Sequence, residues 1–261
     1  MKDMTQTFMV VLTVGGLISA GAWHYWRNLK RQSMRSFIRR LSPRGEFILV
    51  MLVGFGPIIT FQLLSLLQPA RSGGSAGPAV SNAALVAGVI GALALLAAVL
   101  RIGKLRGWSL ATLGFRVSWR GAAAGVLLFV VAQLAESGAG RSVQAVHPQP
   151  NNLDVAGTVA GIALPVILLS ALVIPILEEV LEAGYMIHSL QSFGLWPAVL
   201  ASASLRALIH WQQGINAALM IFVWSLILAL AYWRWRRLFP LVVAHALTIL
   251  YAVWYVSRRA A

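Results

Sequence analysis

The chain contains 261 residues, of which 59% are hydrophobic and only 11% are charged, and its mean hydropathy is +0.78. Soluble domains carry about 25% charged residues, so this composition excludes an ordinary soluble domain and indicates a membrane protein. The formal net charge of +14 would suit nucleic-acid binding only if the basic residues formed a surface of their own. The sequence has no cysteine, which excludes disulfides, thiolate metal sites and cysteine nucleophiles.

The apolar segments predict transmembrane helices. They are continuously apolar, whereas the strands of a membrane β-barrel alternate apolar and polar residues. Since a helix needs about 20 apolar residues to cross the bilayer, we predict an all-α, polytopic membrane helix bundle with about eight transmembrane helices. The predicted spans are residues 8–26, 46–68, 82–102, 121–137, 158–188, 196–212, 214–233 and 238–256.

The basic residues alternate between the two sides of this predicted bundle. The connections after the first, third and seventh spans contain seven, five and three basic residues, if Arg101 at the end of the third span is counted with its connection. Those after the second, fourth and sixth contain one, one and none. We expect an integral protein of a bacterial cytoplasmic membrane, with the basic loops facing the cytoplasm and anionic lipid and both termini outside. This placement removes nucleic acid as a partner. A signal peptide is the alternative for residues 8–26, although the basic cluster after it is typical of a stop-transfer sequence.

Two segments with turn-forming residues, 69–82 and 138–154, predict external loops. Glu136 is expected at the end of the fourth span, where water reaches it. Tryptophans cluster near the predicted span ends, as amphipathic rings do at the headgroup level, and only Trp224 lies in the middle of a span.

Three of the seven acidic residues, Glu178, Glu179 and Glu182, lie inside the fifth predicted span. A charged group near a helix centre costs roughly 2.5–3.5 kcal/mol on insertion scales, so it usually faces the protein interior, a partner or a hydrated cavity. Ideal α-helical spacing puts Glu178 and Glu182 on one face and turns Glu179 away by about 100°. Pro175 is expected to loosen the helix just before these residues. A charge cluster on a helix that projects into the cytoplasm is the alternative interpretation.

Later spans contain the groups that would partner these carboxylates. Arg206 and His210 lie four residues apart in the sixth span, and His245 lies in the eighth. A buried cation needs an anion, so we expect Arg206 to face the glutamates and to bring His210 into the same cavity. A lone intramembrane histidine usually forms a helix–helix hydrogen bond, but two histidines beside paired glutamates favour a catalytic site. Close carboxylates cannot all ionise in a low dielectric, so one of them is a candidate general base or acid.

Several kinds of intramembrane protease are excluded by their motifs. The sequence has no His-Glu-x-x-His of a zinc protease, no Gly-x-Ser inside a predicted span before an intramembrane histidine, and no intramembrane aspartate pair. A Glu-Glu pair with two histidines remains.

Three segments, in order and spacing, resemble the motifs of the CPBP (CAAX protease and bacteriocin-processing, or Abi) intramembrane proteases. They are Glu178-Glu179-Val-Leu-Glu-Ala-Gly184-Tyr185, Leu205-Arg206-Ala-Leu-Ile-His210-Trp-Gln212-Gln213-Gly214, and Phe239-Pro240-Leu-Val-Val-Ala-His245. The segment that begins Arg106-Gly-Trp-Ser resembles the one before the core in bacterial members, so the likeness covers residues 104–255. We therefore divide the chain into residues 1–103, three spans with a basic cytoplasmic loop, and residues 104–261, a CPBP-like core of five spans.

The resemblance implies hydrolysis of a peptide bond within the membrane. By matching position, Glu178 resembles the glutamate that activates the attacking water, and Glu179 resembles its neighbour. His210 and His245 resemble the histidines that orient the water and stabilise the oxyanion, or bind a metal. Zn²⁺ held by Glu178, His210 and His245 with an open fourth position is one form of this chemistry, and a site without a cofactor is the other. Arg206 and Glu182 are expected to support the site.

Two residues depart from the family pattern. Ala183 stands where the first motif has an arginine, and Ile249 stands where the last motif has asparagine or aspartate. These departures favour an alternative, a catalytically impaired member that acts as a membrane scaffold or regulatory subunit. A proton-coupled transporter is a third reading, because intramembrane glutamate and histidine chains also relay protons. The expected partners are membrane lipid, a peptide or protein substrate that is prenylated in a CAAX-type role, and a membrane protein in the scaffold role.

Overall fold

The computed structural model describes residues 31–66, 81–146 and 162–260. The predicted first span and signal-peptide alternative, and residues 69–80 and 147–154 of the predicted loops, lie outside these ranges. The described residues form helices and connections without strands. The chain divides into two compact units, Met1–Ser109 and Leu110–Ala261.

The described part of the first unit contains three helices. They are α1 (Arg31–Arg40), α2 (Pro43–Leu66) and α3 (Asn82–Arg106). The hydroxyl of Ser81 accepts the backbone N–H of Ala84 and caps the start of α3, and Gly107 ends this helix in the left-handed conformation with φ of 89°. The basic stretch that the sequence predicts as a connection thus contains a helix of its own, α1.

The described part of the second unit contains six further α-helices. They are α4 (Trp119–Val146), α5 (Leu164–Glu178), α6 (Met186–Leu190), α7 (Leu195–Ile209), α8 (Ile215–Trp235) and α9 (Phe239–Ala260). A π-helical segment, Glu179–Tyr185, joins α5 to α6. Short 3₁₀ turns at Gln191–Phe193 and Trp211–Gln213 flank α7.

Within the described ranges, four helical segments are long and apolar enough to cross a membrane: Asn82–Arg106, Trp119–Val146, Leu164–Phe193 and Ile215–Trp235. They confirm the predicted all-α membrane helix bundle, and the protein is an integral membrane protein. The number of eight spans is not confirmed. The sixth predicted span corresponds to α7, whose 15 residues reach about 22 Å, less than the ~30 Å hydrocarbon core.

The prediction that residues 138–154 form a loop is wrong for 138–146, which continue α4 to Val146. Gly140 in this stretch serves helix packing rather than a turn. A Cβ on Gly140 would lie 3.0 Å from Cε of Met220 on α8, so a small residue lets α4 and α8 approach each other. Glycine is therefore a poor loop signal in this membrane helix.

Two other glycines bring α4 against α9. A Cβ on Gly125 would lie 2.6 Å from Cβ of Val243 and 2.7 Å from the Pro240 carbonyl oxygen. A Cβ on Gly121 would lie 2.9 Å from Cδ1 of Phe239. This Gly-x-x-x-Gly pair fixes the depth and rotation of α9, the helix that carries His245.

The turn between α8 and α9 is held by the segment that precedes α4. Leu238 N–H donates to the Gly114 carbonyl at 3.1 Å, and the Tyr232 hydroxyl donates to the Leu113 carbonyl at 3.1 Å. Gly114 has φ of 81°, and a Cβ there would lie 2.0 Å from the Arg236 carbonyl oxygen, so only glycine fits. The end of α8 and the start of α9 are thereby each fixed to this segment.

Candidate active site

The structure brings together five of the six site residues predicted from the sequence. Glu178 ends α5, Glu179 and Glu182 lie in the π-helical segment, Arg206 lies on α7 and His245 lies on α9. These side chains form one network of ion pairs, which we call the carboxylate cluster.

The interior of the carboxylate cluster is fully buried. Glu179 and Glu182 have 0% exposure and Arg206 has 3%. The guanidinium of Arg206 binds both carboxylates: Nη2 lies 2.7 Å from Oε1 of Glu179, and Nε pairs with Oε2 of Glu182. Because removing one partner leaves a buried charge uncompensated, these contacts stabilise the packing of α7 against the π-helical segment.

The π-helical segment explains why these two glutamates share one arginine. Its wider turn changes the rotation between successive residues, so the α-helical pairing of Glu178 with Glu182 does not apply here. Pro175, buried in the last turn of α5, has no N–H and interrupts the regular ladder. The Ser202 hydroxyl donates a hydrogen bond to the Glu182 carbonyl at 2.7 Å. In a regular intramembrane helix this carbonyl would accept a backbone N–H of the same helix instead.

His245 lies between the first two glutamates. Its Nδ1 is 2.8 Å from Oε1 of Glu179, and its Nε2 is 3.7 Å from Oε2 of Glu178. Unlike the buried interior, this part of the cluster is accessible, with 12% side-chain exposure for His245 and 18% for Glu178. Glu178 and the Nε2 edge of His245 are therefore the open edge of the cluster.

His210 lies near this accessible edge without bonding to it. Its Nδ1 lies 2.9 Å from the Arg206 carbonyl oxygen, and since a carbonyl only accepts, Nδ1 carries the proton. The ring interacts electrostatically with Glu178 and His245. The 3₁₀ turn at Trp211–Gln213 follows directly, so α7 ends at the ring rather than continuing outward. The structure thus places His210 beside the cluster, with Nε2 as its uncommitted nitrogen.

Trp224 of α8 packs against the carboxylate cluster, although the sequence motifs do not include this residue. Its ring centroid lies 5.1 Å from that of His245 in an edge-to-face arrangement, and Cζ of Arg206 lies 5.0 Å from the same centroid. The side chain is buried, with 5% exposure. Its position in the middle of a span, away from the headgroup level, is the sequence signal that could have identified it.

The side chains do not fit a zinc ion as they are arranged. In the described parts of the chain, no three His, Cys, Asp or Glu side chains form a group that could hold a metal. The Glu178, His210 and His245 set therefore supports no metal-dependent step in the chemistry below.

Glu136 lies within α4 rather than at the end of this helix. It is half-buried within α4, because this helix continues for ten residues beyond it. Its Oε2 is buried and makes no hydrogen bond to the described residues. Gln133, which bonds to the Glu136 side chain, also accepts the Thr248 hydroxyl at 3.2 Å. A polar contact thus links α4 to α9 one turn beyond His245.

Residues 159–250 match the family model described as Rce1-like, type II CAAX prenyl endopeptidase. The matched segment contains the whole carboxylate cluster and His210. Comparisons with curated proteins and with solved structures give no match.

The all-α membrane bundle and the matched segment are consistent with an intramembrane protease of the CPBP type. The resemblance found in the sequence motifs is thereby confirmed. At the level of the family, the match supports a CAAX-type intramembrane endopeptidase acting on a peptide or protein in a lipid environment.

Proposed function

We propose that this protein hydrolyses a peptide bond within the membrane as a CAAX-type endopeptidase, with residues 104–261 as its core. One observation carries the proposal: His245 contacts buried Glu179 through Nδ1 and faces accessible Glu178 through Nε2. A histidine oriented by one carboxylate and directed at a second reactive group follows the general logic of a catalytic triad.

Glu178 is the general base in this mechanism. As a water molecule attacks the substrate carbonyl carbon, one water proton passes to the Glu178 carboxylate. The C–O bond forms and the carbonyl oxygen gains negative charge. Glu178 then returns the proton to the amide nitrogen as the carbonyl re-forms and the C–N bond breaks, which leaves a carboxylic acid and an amine. The acid then loses its proton to the amine or to water.

His245 stabilises the oxyanion. Glu179 accepts the Nδ1 proton of the ring. When Nε2 is also protonated, its N–H donates a hydrogen bond to the developing oxyanion. His210 offers its Nε2 as a further hydrogen-bonding group at this edge of the site. Arg206, Glu182 and Trp224 do not touch the substrate in this mechanism; they hold Glu179 and His245 in place.

The position of the site suits a substrate that enters from the cytoplasmic leaflet. His245 lies six residues, or about 9 Å, from the start of α9 next to the basic turn Arg234–Arg237. We propose that the basic loops face the cytoplasm of a bacterial cell and that both termini lie outside. A prenyl chain would then lie in the lipid while the peptide reaches Glu178.

The test is cleavage of a farnesylated CAAX peptide by the purified protein in lipid nanodiscs, with the unprenylated peptide in parallel. Glu178→Gln and His245→Ala should each lower kcat/KM by about 10²–10³-fold, the usual effect of losing a general base or an oxyanion donor. Glu136→Gln is the matched control, because it removes an intramembrane charge outside the cluster. Cleavage that persists at the wild-type rate in Glu178→Gln would refute the mechanism.

A second candidate is a catalytically impaired scaffold or regulatory membrane subunit. The observation that favours it is the charge content of the cluster, in which Arg206 alone faces three carboxylates while Ala183 replaces the family's arginine. This candidate predicts no cleavage by the wild-type protein and a membrane partner that co-purifies with it. Retention of that partner by Glu178→Gln, together with no cleavage by the wild-type protein, would support the scaffold role.

A further inference from the structure

The helix α1 of the first unit has two distinct faces. Ile38 is buried with 1% exposure, whereas Arg35, Arg39 and Arg40 are exposed. Together with Ser36, these three arginines line an open pocket. Residues 35 and 39 lie four apart, as do 36 and 40, so the helix places all four on one surface. We call this surface the arginine pocket.

The end of α1 is held by Arg106, which follows the apolar part of α3. Nη1 of Arg106 donates to the Arg39 carbonyl at 3.0 Å and to the Ile38 carbonyl at 3.4 Å. These are carbonyls that the end of a helix leaves without intrahelical partners. The arginine pocket is therefore attached to the rest of its unit through the backbone of α1.

Glu46 of α2 holds Arg106 in turn. Its Oε2 accepts Nε of Arg106 at 2.6 Å, and its Oε1 accepts the indole N–H of Trp108 at 2.8 Å. The Trp108 ring packs so closely on Gly103 that a Cβ there would lie 2.6 Å from the ring. Glu46, Arg106 and Trp108 thus form a clamp that orders α1 before any ligand binds.

The arginine pocket concentrates positive charge without an internal counter-ion. Among the described residues, Arg35, Arg39 and Arg40 form no ion pair. Like charges four residues apart on a helix repel, and guanidinium groups bind phosphate oxygens in a bidentate manner. Only two residues separate α1 from α2, the second predicted span, so the pocket lies close to the depth of lipid headgroups.

We propose that the arginine pocket binds the phosphate group of an anionic membrane phospholipid and that the Glu46 clamp pre-organises it for this ligand. The site is independent of the protease proposal, since none of its residues belongs to the carboxylate cluster. It gives the first unit a specific lipid-binding role beyond a general attraction of basic residues to the membrane surface.

The first experiment measures binding of phosphatidylglycerol to the purified full chain by native mass spectrometry, with phosphatidylcholine as the neutral lipid. A basic residue next to the bound lipid phosphate contributes about fivefold to such binding, so R35A/R39A/R40A should weaken it by about 10²-fold. The matched control R116A/R120A/R258A removes three exposed arginines from the other unit and should change it less than threefold. Equal losses in both triple variants, or no loss in the first, would overturn the proposal.

Two further variants distinguish a pre-organised phosphate-binding site from general electrostatic attraction to the lipid. R35K/R39K/R40K keeps the charge but loses bidentate geometry, and it should weaken binding by several-fold. E46Q makes the unit more positive while releasing Arg106. General electrostatics predicts tighter lipid binding by E46Q, whereas our proposal predicts weaker binding; tighter binding would refute the clamp. Inorganic phosphate at millimolar concentration should not displace the lipid, and displacement would assign the pocket to free phosphate instead.

Discussion

Replacing Arg206 by methionine should destabilise the protein much more than its single charge suggests. Arg206 is 3% exposed, and it is the cation bound to two carboxylates that are 0% exposed. Removing one partner of a buried ion pair costs about 3–5 kcal/mol, because the remaining charge stays in a low dielectric. Since the free energy of unfolding of a protein is about 5–15 kcal/mol, Arg206→Met should remove a large part of it.

The double variant Arg206→Met/Glu182→Gln tests the cause of this loss. It removes one of the two carboxylates that the single variant leaves without their arginine, so it should recover about 1–3 kcal/mol relative to Arg206→Met. Unfolding of the purified protein in micelles, followed by denaturant titration, measures both values. The exposed Arg258→Met is the control for loss of a positive charge. An Arg206→Met protein as stable as the wild type, or a double variant less stable than the single one, would refute the reasoning.

Three other changes give separate expectations. Trp224→Leu should lower kcat about 10²-fold with little change in KM, because a small displacement of a catalytic group has effects of this size, whereas Trp224→Phe keeps a ring and should retain most activity. Tyr232→Leu, on the same helix, should lower stability but not kcat per folded molecule; equal kcat losses in the two leucine variants would contradict a positioning role. Gly125→Leu should lower the melting temperature and the activity together, because the side chain has no room against Val243, while Gly138→Leu, which meets nothing within 4 Å, should not. Ala183→Arg should lower stability by about 1–3 kcal/mol without raising turnover, because Ala183 is 2% exposed and Arg206 already binds the glutamates; increased peptide cleavage by this variant would contradict that view.

The residue types of the site could be predicted from the sequence because charged groups are costly inside lipid. Glutamates and an arginine in apolar segments are expected to pair with each other, because an unpaired charge in lipid is costly. The structure pairs Arg206 with two of the three glutamates. Their exact pairing could not be predicted, because it depends on a π-helical segment that α-helical spacing does not describe. Trp224 was noticeable only as a mid-span tryptophan, since an aromatic contact between helices has no sequence spacing of its own.

The fold, too, could be predicted only in part from the sequence. Long apolar segments predict the membrane helices, but Gly138 and Gly140 look like loop residues and instead lie in α4. The helix α1 was not predicted, because a basic stretch between two predicted spans is typical of a connecting loop. Its amphipathic pattern, with Ile38 buried between exposed arginines, is the signal that identifies it.

A single oxygen atom, Oε1 of Glu179, receives both Nη2 of Arg206 and Nδ1 of His245. Three separate helical elements are therefore tied at one point, and a lineage that lost proteolysis would still need Glu179, Glu182 and Arg206 in order to fold. A homologous gene that keeps these three codons thus says little about whether its product still cleaves anything. The more informative position is Glu178, which lies at the solvent-accessible edge and can be exchanged by drift once catalysis is no longer under selection.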